Sequence, residues 1–245
     1  MIIIMIYMIE RVIVMSIYQR EDLYIKLLSE RDRTVNELSK LLYVSEPTVR
    51  RDICEMKRKE IVISSRGCVS LKTGSADRRV PLFMRDPVNS DAKNIIASKA
   101  VKYIKDGDVI MLDASTTAYC LISHLVDFKN ILCITNGAKT AVALASMGIK
   151  TLCCGGELAG DSFCFIGSEA ESMISRYNAD IAFFSCRGIT QDGVATDSSL
   201  GENSIRRVMM KNSRKKILLC DSTKIGQTYL NTLCNRNEID GVIMD

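Results

Sequence analysis

The stretch from residue 34 to 58, T-V-N-E-L-S-K-L-L-Y-V-S-E-P-T-V-R-R-D-I-C-E-M-K-R, constrains this chain more than any other. Thr34 and Glu37 have the S/T-x-x-E spacing of a capping box, in which each satisfies a backbone donor left open at a helix start, so a helix begins at Val35. Leu38, Leu41 and Leu42 recur at i, i+3 and i+4, which assigns them to one buried face. The turn passes Tyr43 and Val44. Ser45 is suited to cap a second helix, with Pro47 tolerated in its first turn and Val49, Ile53 and Met56 as its inner stripe. The outer face carries Thr48, Arg50 and Arg51, with Lys57, Arg58 and Lys59 toward the far end. Cap, turn and stripe together spell a helix-turn-helix, and short polar groups with arginines suit base edges and phosphates. Thr34, Ser45, Thr48, Arg50 and Arg51 are the candidate DNA contacts. A plain helical hairpin with a solvated basic face would leave the agreement of these signals unexplained.

The flanks extend the motif. Arg20 to Arg31 reads as a first helix with Leu23, Ile25, Leu27 and Leu28 as its apolar residues. Ile61 to Lys72 is β-rich around an S-R-G turn, a hairpin in the position of a wing, with Arg66 at its tip to reach phosphate or the minor groove. Residues 73 to 90 mix Gly74, Pro81 and Pro87 with charges and lack periodicity, so they read as a linker. Ahead of the motif, residues 1 to 14 are read as an extension before a start at Met15, or else as an apolar helix that packs on a partner. The apolar run of residues 1 to 9 is too short for a bilayer, which needs about 20 residues, and it lacks the basic leader of a signal peptide.

Composition narrows the class. A length of 245 residues allows one large domain or two modest ones, and a net charge of +4 means that any DNA affinity is local rather than global. The ten cysteines form no C-x-x-C pair, and most lie in apolar runs, where cysteine acts as a small hydrophobe. Cys153 and Cys154 sit in a strand whose neighbours point to opposite faces. With His124 as the sole histidine, a Cys/His zinc site is disfavoured and no metal or other cofactor is implied. Reduced thiols imply a cytosolic protein.

From Asp91 the pattern alternates helices (92–104, 117–126, 138–147, 168–177, 201–213) with apolar strands (108–113, 131–135, 150–154, 180–185, 216–221, 240–245). That alternation predicts a mainly parallel sheet covered on both faces, a Rossmann-like α/β domain over 91–245 behind an N-terminal domain over 15–72. Ligands of such sheets bind beyond the carboxyl ends of the strands. Each strand end here carries polar or glycine-rich chemistry: Asp113, Ser115, Thr116 and Thr117; Thr135 and Asn136; Gly155 and Gly156; Arg187 and Gly188; and D-S-T-K with Lys224. Hydroxyls and N–H groups at such a rim suit a phosphate, so a phosphorylated small molecule is the expected ligand, with Glu202 on the following helix.

The chain resembles a DeoR-family transcriptional regulator over nearly its whole length from Met15. The matching residues are V-S-E-P-T-V-R-R-D-I (44–53), D-G-D-V-I-M-L-D-A-S-T-T (106–117), T-N-G (135–137), G-G-E-L (155–158), G-I-T-Q-D-G (188–193) and D-S-T-K-I-G (221–226). The resemblance implies a winged helix-turn-helix that binds double-stranded operator DNA, and a sensor domain similar to the ribose-5-phosphate isomerase fold with a sugar phosphate as effector. It also implies a homo-oligomer, dimer or tetramer, and a regulator of a sugar-metabolism operon. Asp113, Ser115, Thr116 and Thr117 match the family's phosphate-side loop and Lys224 its late lysine. Ser115 stands where the family usually has glycine.

An isomerase-like enzyme and a sensor acting through a protein partner are the alternatives. An isomerase needs a positioned carboxylate as base, yet Phe184, Arg187 and Arg206 occupy the positions where acids are required, with Asp197 and Glu202 nearby. The intact Arg50-Arg51 pair argues against a sensor without DNA. Arg206, Arg207, Lys211, Arg214, Lys215 and Lys216 form a basic cluster, read first as a solvated helix face and second as turning Arg206 or Arg207 inward toward effector phosphate.

Overall fold

The computed structural model describes residues 20–21, 23–24, 27–28, 31–58, 61–65, 67–71, 89–160 and 162–245. The extension 1–14 with Met15, Arg66, Lys59, Ile25 and the expected linker apart from Asn89 and Ser90 lie outside them. The chain divides into two compact units.

In the first unit, residues 20, 21, 23, 24, 27 and 28 are helical. Their buried apolar members are Tyr24 and Leu28 rather than Leu23 and Leu27, which are half-buried. A two-residue strand β1 (Arg33–Thr34) leads into α1 (Val35–Leu42), and the Thr34–Glu37 capping box is present as the spacing predicts. Leu38 and Leu42, one turn apart, are buried, but Leu41 is 46% exposed, because it lies to the side of the line that those two define. Tyr43 ends the helix with a left-handed φ of 52°, its N–H donating to the Ser39 carbonyl. Helix α2 (Glu46–Arg58) buries Val49, Ile53 and Met56 as expected. Strands β2 (Val62–Ser65) and β3 (Cys68–Leu71) form the antiparallel wing, and β1 adds to the far side of β3.

The second unit begins with α3 (Ser90–Ala100), which a 3-10 turn at Val101–Tyr103 extends. Its central sheet comprises β4 (Val109–Leu112), β5 (Leu132–Thr135), β6 (Lys150–Cys153), β9 (Ala179–Ser185), β12 (Ser213–Leu219) and β14 (Gly241–Ile243). The order is β14-β12-β9-β4-β5-β6, and every neighbouring pair is parallel. Burial on both faces explains the near-continuous apolar strands. Ile110, Leu112 and Phe183 enter one core, whereas Met111, Ala182 and Phe184 enter the other. Cys153, the last residue of β6, is exposed and Cys154, just beyond the strand, is buried. The chain builds outward from β4 to β5 and β6, then resumes on the other side of β4 with β9. The switch point therefore lies between β4 and β9, where open α/β sheets leave a crevice for ligands.

The connecting helices include α4 (Thr116–Tyr119) and α5 (Ile122–Leu125), where the sequence reads as one helix over 117–126. The break is a tightening of the backbone, with Cys120 N–H donating to the Thr117 carbonyl and Leu121 N–H to that of Ala118. Helices α6 (Ala138–Ser146), α7 (Ser168–Ile174) and α8 (Leu200–Lys211) match their predicted positions.

Two additions were not legible as periodicity. Strands β7 (Glu157–Ala159) and β8 (Cys164–Ile166) make a hairpin, and β10 (Gly188–Ile189), β11 (Ala195–Asp197) and β13 (Asn231–Cys234) make a small antiparallel sheet. The hairpin sits on the rim. The N–H of Phe165 donates to the Asn136 carbonyl at 2.7 Å, and that of Ala138 to the Phe163 carbonyl at 2.9 Å. Among the described residues no helix is long and apolar enough to cross a membrane, and no His/Cys/Asp/Glu group is arranged to hold a metal.

Candidate functional site

At the start of α2, Ser45 Oγ accepts from the Thr48 N–H at 3.4 Å and lies 2.9 Å from Thr48 Oγ1. Arg50 reaches back to Glu46 at 3.1 Å, with 67% of its side chain exposed. An exposed i,i+4 pair is weak and readily exchanged for another anion. Glu46 also accepts from Asn36 of α1, and these two partners hold its carboxyl below the usual range. Arg51, Lys57 and Arg58 are exposed on the same helix. Thr34 is placed differently from the other candidates. Its N–H donates to Glu37 at 2.8 Å and its hydroxyl accepts from the Glu37 N–H at 3.2 Å, so its polar atoms serve the cap. Those bonds, the Thr34 N–H first and Arg31 next, bring the Glu37 carboxyl down to about 2.

Beneath that face lies a group the sequence reading passed over. Asp52 is buried on the inner side of α2 and accepts from Arg20 through both oxygens, at 2.8 and 3.1 Å, and from the Tyr24 hydroxyl at 3.1 Å. Burial first, and the Asp52 charge second, push the Tyr24 phenol up from its usual range. This bidentate clamp fixes α2 against the first helix.

At the rim of the central sheet, Asp113 follows β4 and is 1% exposed. One of its oxygens accepts from the Ser115 N–H at 3.1 Å and from the Ser115 hydroxyl at 2.5 Å. The other accepts from the Ser185 N–H at 3.2 Å and from Arg206 Nε at 2.8 Å. Ser115 Oγ also accepts from the Ala118 N–H, capping α4. Asp113 and Ser115 are thus engaged with the protein, and they tie the end of β4 to the end of β9 across the switch point.

Arg206 is the centre of the arrangement. It is 3% exposed, which overturns the solvated-face reading for this residue. It does turn inward, but toward carboxylates: Asp113, Asp197 at 2.9 Å and Glu202 at 3.0 Å. The reason is spacing on α8, where Glu202 and Arg206 stand one turn apart on the face that also buries Ile205, Met209 and Met210. Burial acts against the Arg206 charge, yet the three acids hold its pKa well above normal. Burial likewise raises Asp197, but Arg206, Arg187 and the Ser198 and Ser199 amides outweigh it and hold the carboxyl below the usual range. Arg207 instead donates to the Leu233 and Thr232 carbonyls; Lys211 is exposed at the end of α8, whereas Arg214 and Lys215, also exposed, belong to strand β12 rather than to a helix face.

Two cations border this network. Lys224 Nζ lies 3.2 Å from Asp221 and donates to Ser185 Oγ at 3.1 Å, leaving a third proton on a half-buried ammonium. Arg187 stacks on the Tyr229 ring at 5.6 Å and stands 3.8 Å from Asp197. Thr116 and Thr117 are buried, and Thr117 Oγ1 has no hydrogen-bond partner. Thr135 Oγ1 accepts from the Gly137 N–H, and Asn136 Nδ2 donates to the Phe165 carbonyl at 3.2 Å, while Asn136 Oδ1 has no partner. Gly155 and Gly156 form the base of the β7–β8 hairpin. At Gly156 φ is +117°, and a Cβ would stand 2.9 Å from the Ile166 carbonyl oxygen. Gly188 is buried with Gln227 against it.

Comparison with known proteins places both units. Residues 20–74 match the DeoR-like helix-turn-helix domain, and residues 88–245 match the DeoR C-terminal sensor domain. The chain belongs to the DeoR family. Its relatives include the HTH-type transcriptional regulator GolR of Listeria innocua, 31% identical over 93% of this chain and 90% of that protein. The lactose phosphotransferase system repressor of Staphylococcus epidermidis is 28% identical over 94% and 93%. Among solved structures, the translation initiation factor eIF-2B of Pyrococcus horikoshii covers 98% of this chain and 94% of its own, at 13% identity and a TM-score of 0.50, a likeness of fold alone. Ribose 5-phosphate isomerase of Methanocaldococcus jannaschii aligns over 56% and 55% with a TM-score of 0.43, too low to carry an argument.

A DeoR-family chain is a transcriptional regulator and not an enzyme. The rim agrees chemically. A general base needs a carboxylate poised near the working pH, whereas Asp113, Asp197 and Glu202 are all bound to Arg206. A signal for the missed Asp52 was present in the sequence, where it falls at i+3 from Val49, inside the buried stripe. The pairing of Glu202, an expected rim residue, with Arg206 was signalled by their spacing of one turn. Ser185 and Tyr229 reach the site only through tertiary pairing and left no such signal, whereas Asp221 stands three residues before its partner Lys224.

Proposed function

We propose that the chain is a sequence-specific, DNA-binding repressor of sugar-metabolism genes, acting as a cytoplasmic homo-oligomer on a double-stranded operator, with a phosphorylated sugar as effector. The observation that carries the sensor half is the rim itself: partly accessible cations beside acids that are each ion-paired, which supports a site that holds an anion rather than one that moves protons. The relatives named as a lactose phosphotransferase system repressor and as the repressor GlcR of Bacillus subtilis support the sugar connection. Arg50 and Arg51, with Ser45 and Thr48, contact DNA at the start of α2, and Arg66 reaches it from the wing. Thr116, the neighbouring backbone N–H groups and Lys224 hold the phosphate, with Arg187 beside them. Thr117, Thr135, Asn136, Gly155, Gly156, Gly188 and Glu202 line or support the rim, and Asp113 and Ser115 set the loop's shape. In this reading residues 15–72 form the DNA-binding domain and 91–245 the sensor, joined through 73–90.

The test is an operator gel-shift titration with and without a series of sugar phosphates, alongside thermal stabilisation. A ligand at about 100 times its Kd adds roughly 2.7 kcal/mol to stability. Thr116→Val and Lys224→Ala remove the response and leave effector-free DNA binding as it was. If both variants still respond to the same ligand at the same concentration, the site lies elsewhere.

A further inference from the structure

Of the three buried side-chain polar atoms without a partner among the described residues, two lie just beyond the ends of neighbouring strands in the sensor unit. Thr117 is 1% exposed and its Oγ1 has no hydrogen bond; Asn136 is 2% exposed and its Oδ1 has none. Leaving such an atom buried and unsatisfied is costly, and native structures do it rarely. The two residues follow neighbouring strands, since β4 pairs with β5 in parallel and Leu112 stands beside Thr135. Their loops touch: a Cβ at Gly137 would come within 3.1 Å of the Ala114 Cα. The β7–β8 hairpin packs on both, with Ala159 and Cys164 against Ala114 and the Phe165 N–H on the Asn136 carbonyl.

The chemistry of the two atoms differs from that of the cations across the switch point. Asn136 Nδ2 already donates to the Phe165 carbonyl, and this bond fixes which end of the amide is oxygen. An amide oxygen only accepts. What completes it must be a donor, which a phosphate dianion is not and a carbon-bound hydroxyl is. The Thr117 hydroxyl can then serve as donor or acceptor to the same polyol.

We propose that Asn136 and Thr117 form a hydroxyl-reading subsite, distinct from the phosphate contacts at Thr116 and Lys224, so that the effector is a polyhydroxylated phosphate ester recognised at both ends. This rests on the effector reading above and divides that site into two parts. The phosphate confers retention and the hydroxyls confer selection, because a site that hydrogen-bonds a substrate hydroxyl rejects an analogue lacking it far more strongly than a methylene difference would.

Thr117→Val is the decisive variant, because it preserves shape and removes the hydroxyl. A residue with a merely structural role would lose stability on this change. Here the ligand-free protein melts at the same temperature or higher, since no bond is lost, while affinity for the sugar phosphate falls roughly 10- to 100-fold. The probes are pentose and hexose phosphates, with inorganic phosphate as the probe that has no carbon-bound hydroxyl. Titration calorimetry follows the wild type, Thr117→Val and Asn136→Leu. Inorganic phosphate binds all three alike, and the sugar phosphates lose affinity for both variants. If no sugar phosphate binds the wild type, the effector reading fails and this one with it. If one binds the wild type and both variants equally, the phosphate site stands and the hydroxyl subsite is refuted. A lowered melting temperature of ligand-free Thr117→Val would refute it as well, by showing that the hydroxyl already has a structural partner.

Discussion

Arg206 is the residue on which the sensor rim depends. Removing it takes from Asp113, Asp197 and Glu202 the cation they share, leaving Asp197 only the more distant Arg187 at 3.8 Å, and breaking a buried pair in this way costs about 3–5 kcal/mol. Arg206→Met is expected to destabilise the sensor unit by about that amount in urea melts; a change under about 1 kcal/mol would mean that water reaches the acids. The same network sets a pH dependence. Asp197 and Asp221 are both held below their ordinary value of 3.8, so the folded state binds fewer protons than the unfolded chain in that range. Their contribution is fully present above the ordinary carboxylate value and is lost as pH falls through the depressed one. Melting temperature should therefore drop as pH falls below about 4, and Asp197→Asn should flatten that slope while lowering the plateau above it. An unchanged slope in the variant would assign the acid sensitivity to other groups.

Among the elements, α2 shows best how far the sequence could be read. Its cap, its stripe of Val49, Ile53 and Met56 and its basic face follow from residue type and a period of 3.6. The Asp52 clamp needs Arg20 and Tyr24, which stand 32 and 28 residues away, and no local rule supplies them. Asp52→Ala removes the carboxylate that both Arg20 and the buried Tyr24 hydroxyl bond, and is expected to cost about 1–3 kcal/mol, seen as faster amide exchange in α2. Protection equal to that of the wild type would show the clamp to be dispensable. The parallel strands were legible for a similar reason: both faces are buried, so Ile181 to Phe184 read as one apolar run. The β7–β8 hairpin and the β10–β11–β13 sheet were not, because strands of two to four residues give alternation no length in which to show. The rim was legible as a list of polar strand ends, whereas its division into scaffold and ligand-facing atoms was not, since Asp113 and Thr117 look alike until their partners are known.

At the scale of the whole molecule, the DNA-binding unit and the sensor meet in function through a coupling free energy. Coupling of about 1–3 kcal/mol, or 5- to 150-fold in operator affinity, is the expected range. Arg50→Ala and Arg51→Ala should each cost roughly 1–3 kcal/mol in operator binding where the side chain reads a base, with effector affinity unchanged. Gel-shift titration measures the first and calorimetry the second, and operator binding by the double variant at wild-type strength would remove α2 from the interface. The neutralised rim has one more consequence. Asp113, Asp197, Glu202 and Asp221 set four negative charges against the three positive charges of Arg187, Arg206 and Lys224. Among these residues there is no surplus of positive charge, so a phosphate is held there by directed bonds at short range rather than drawn in by a field. DNA, by contrast, is bound with release of its condensed counterions. The two binding events should therefore separate with ionic strength. Between about 50 and 200 mM salt, operator affinity should fall by orders of magnitude while effector affinity barely moves. An effector Kd that tracked salt as steeply as DNA binding would mean that the rim attracts its ligand by net charge after all.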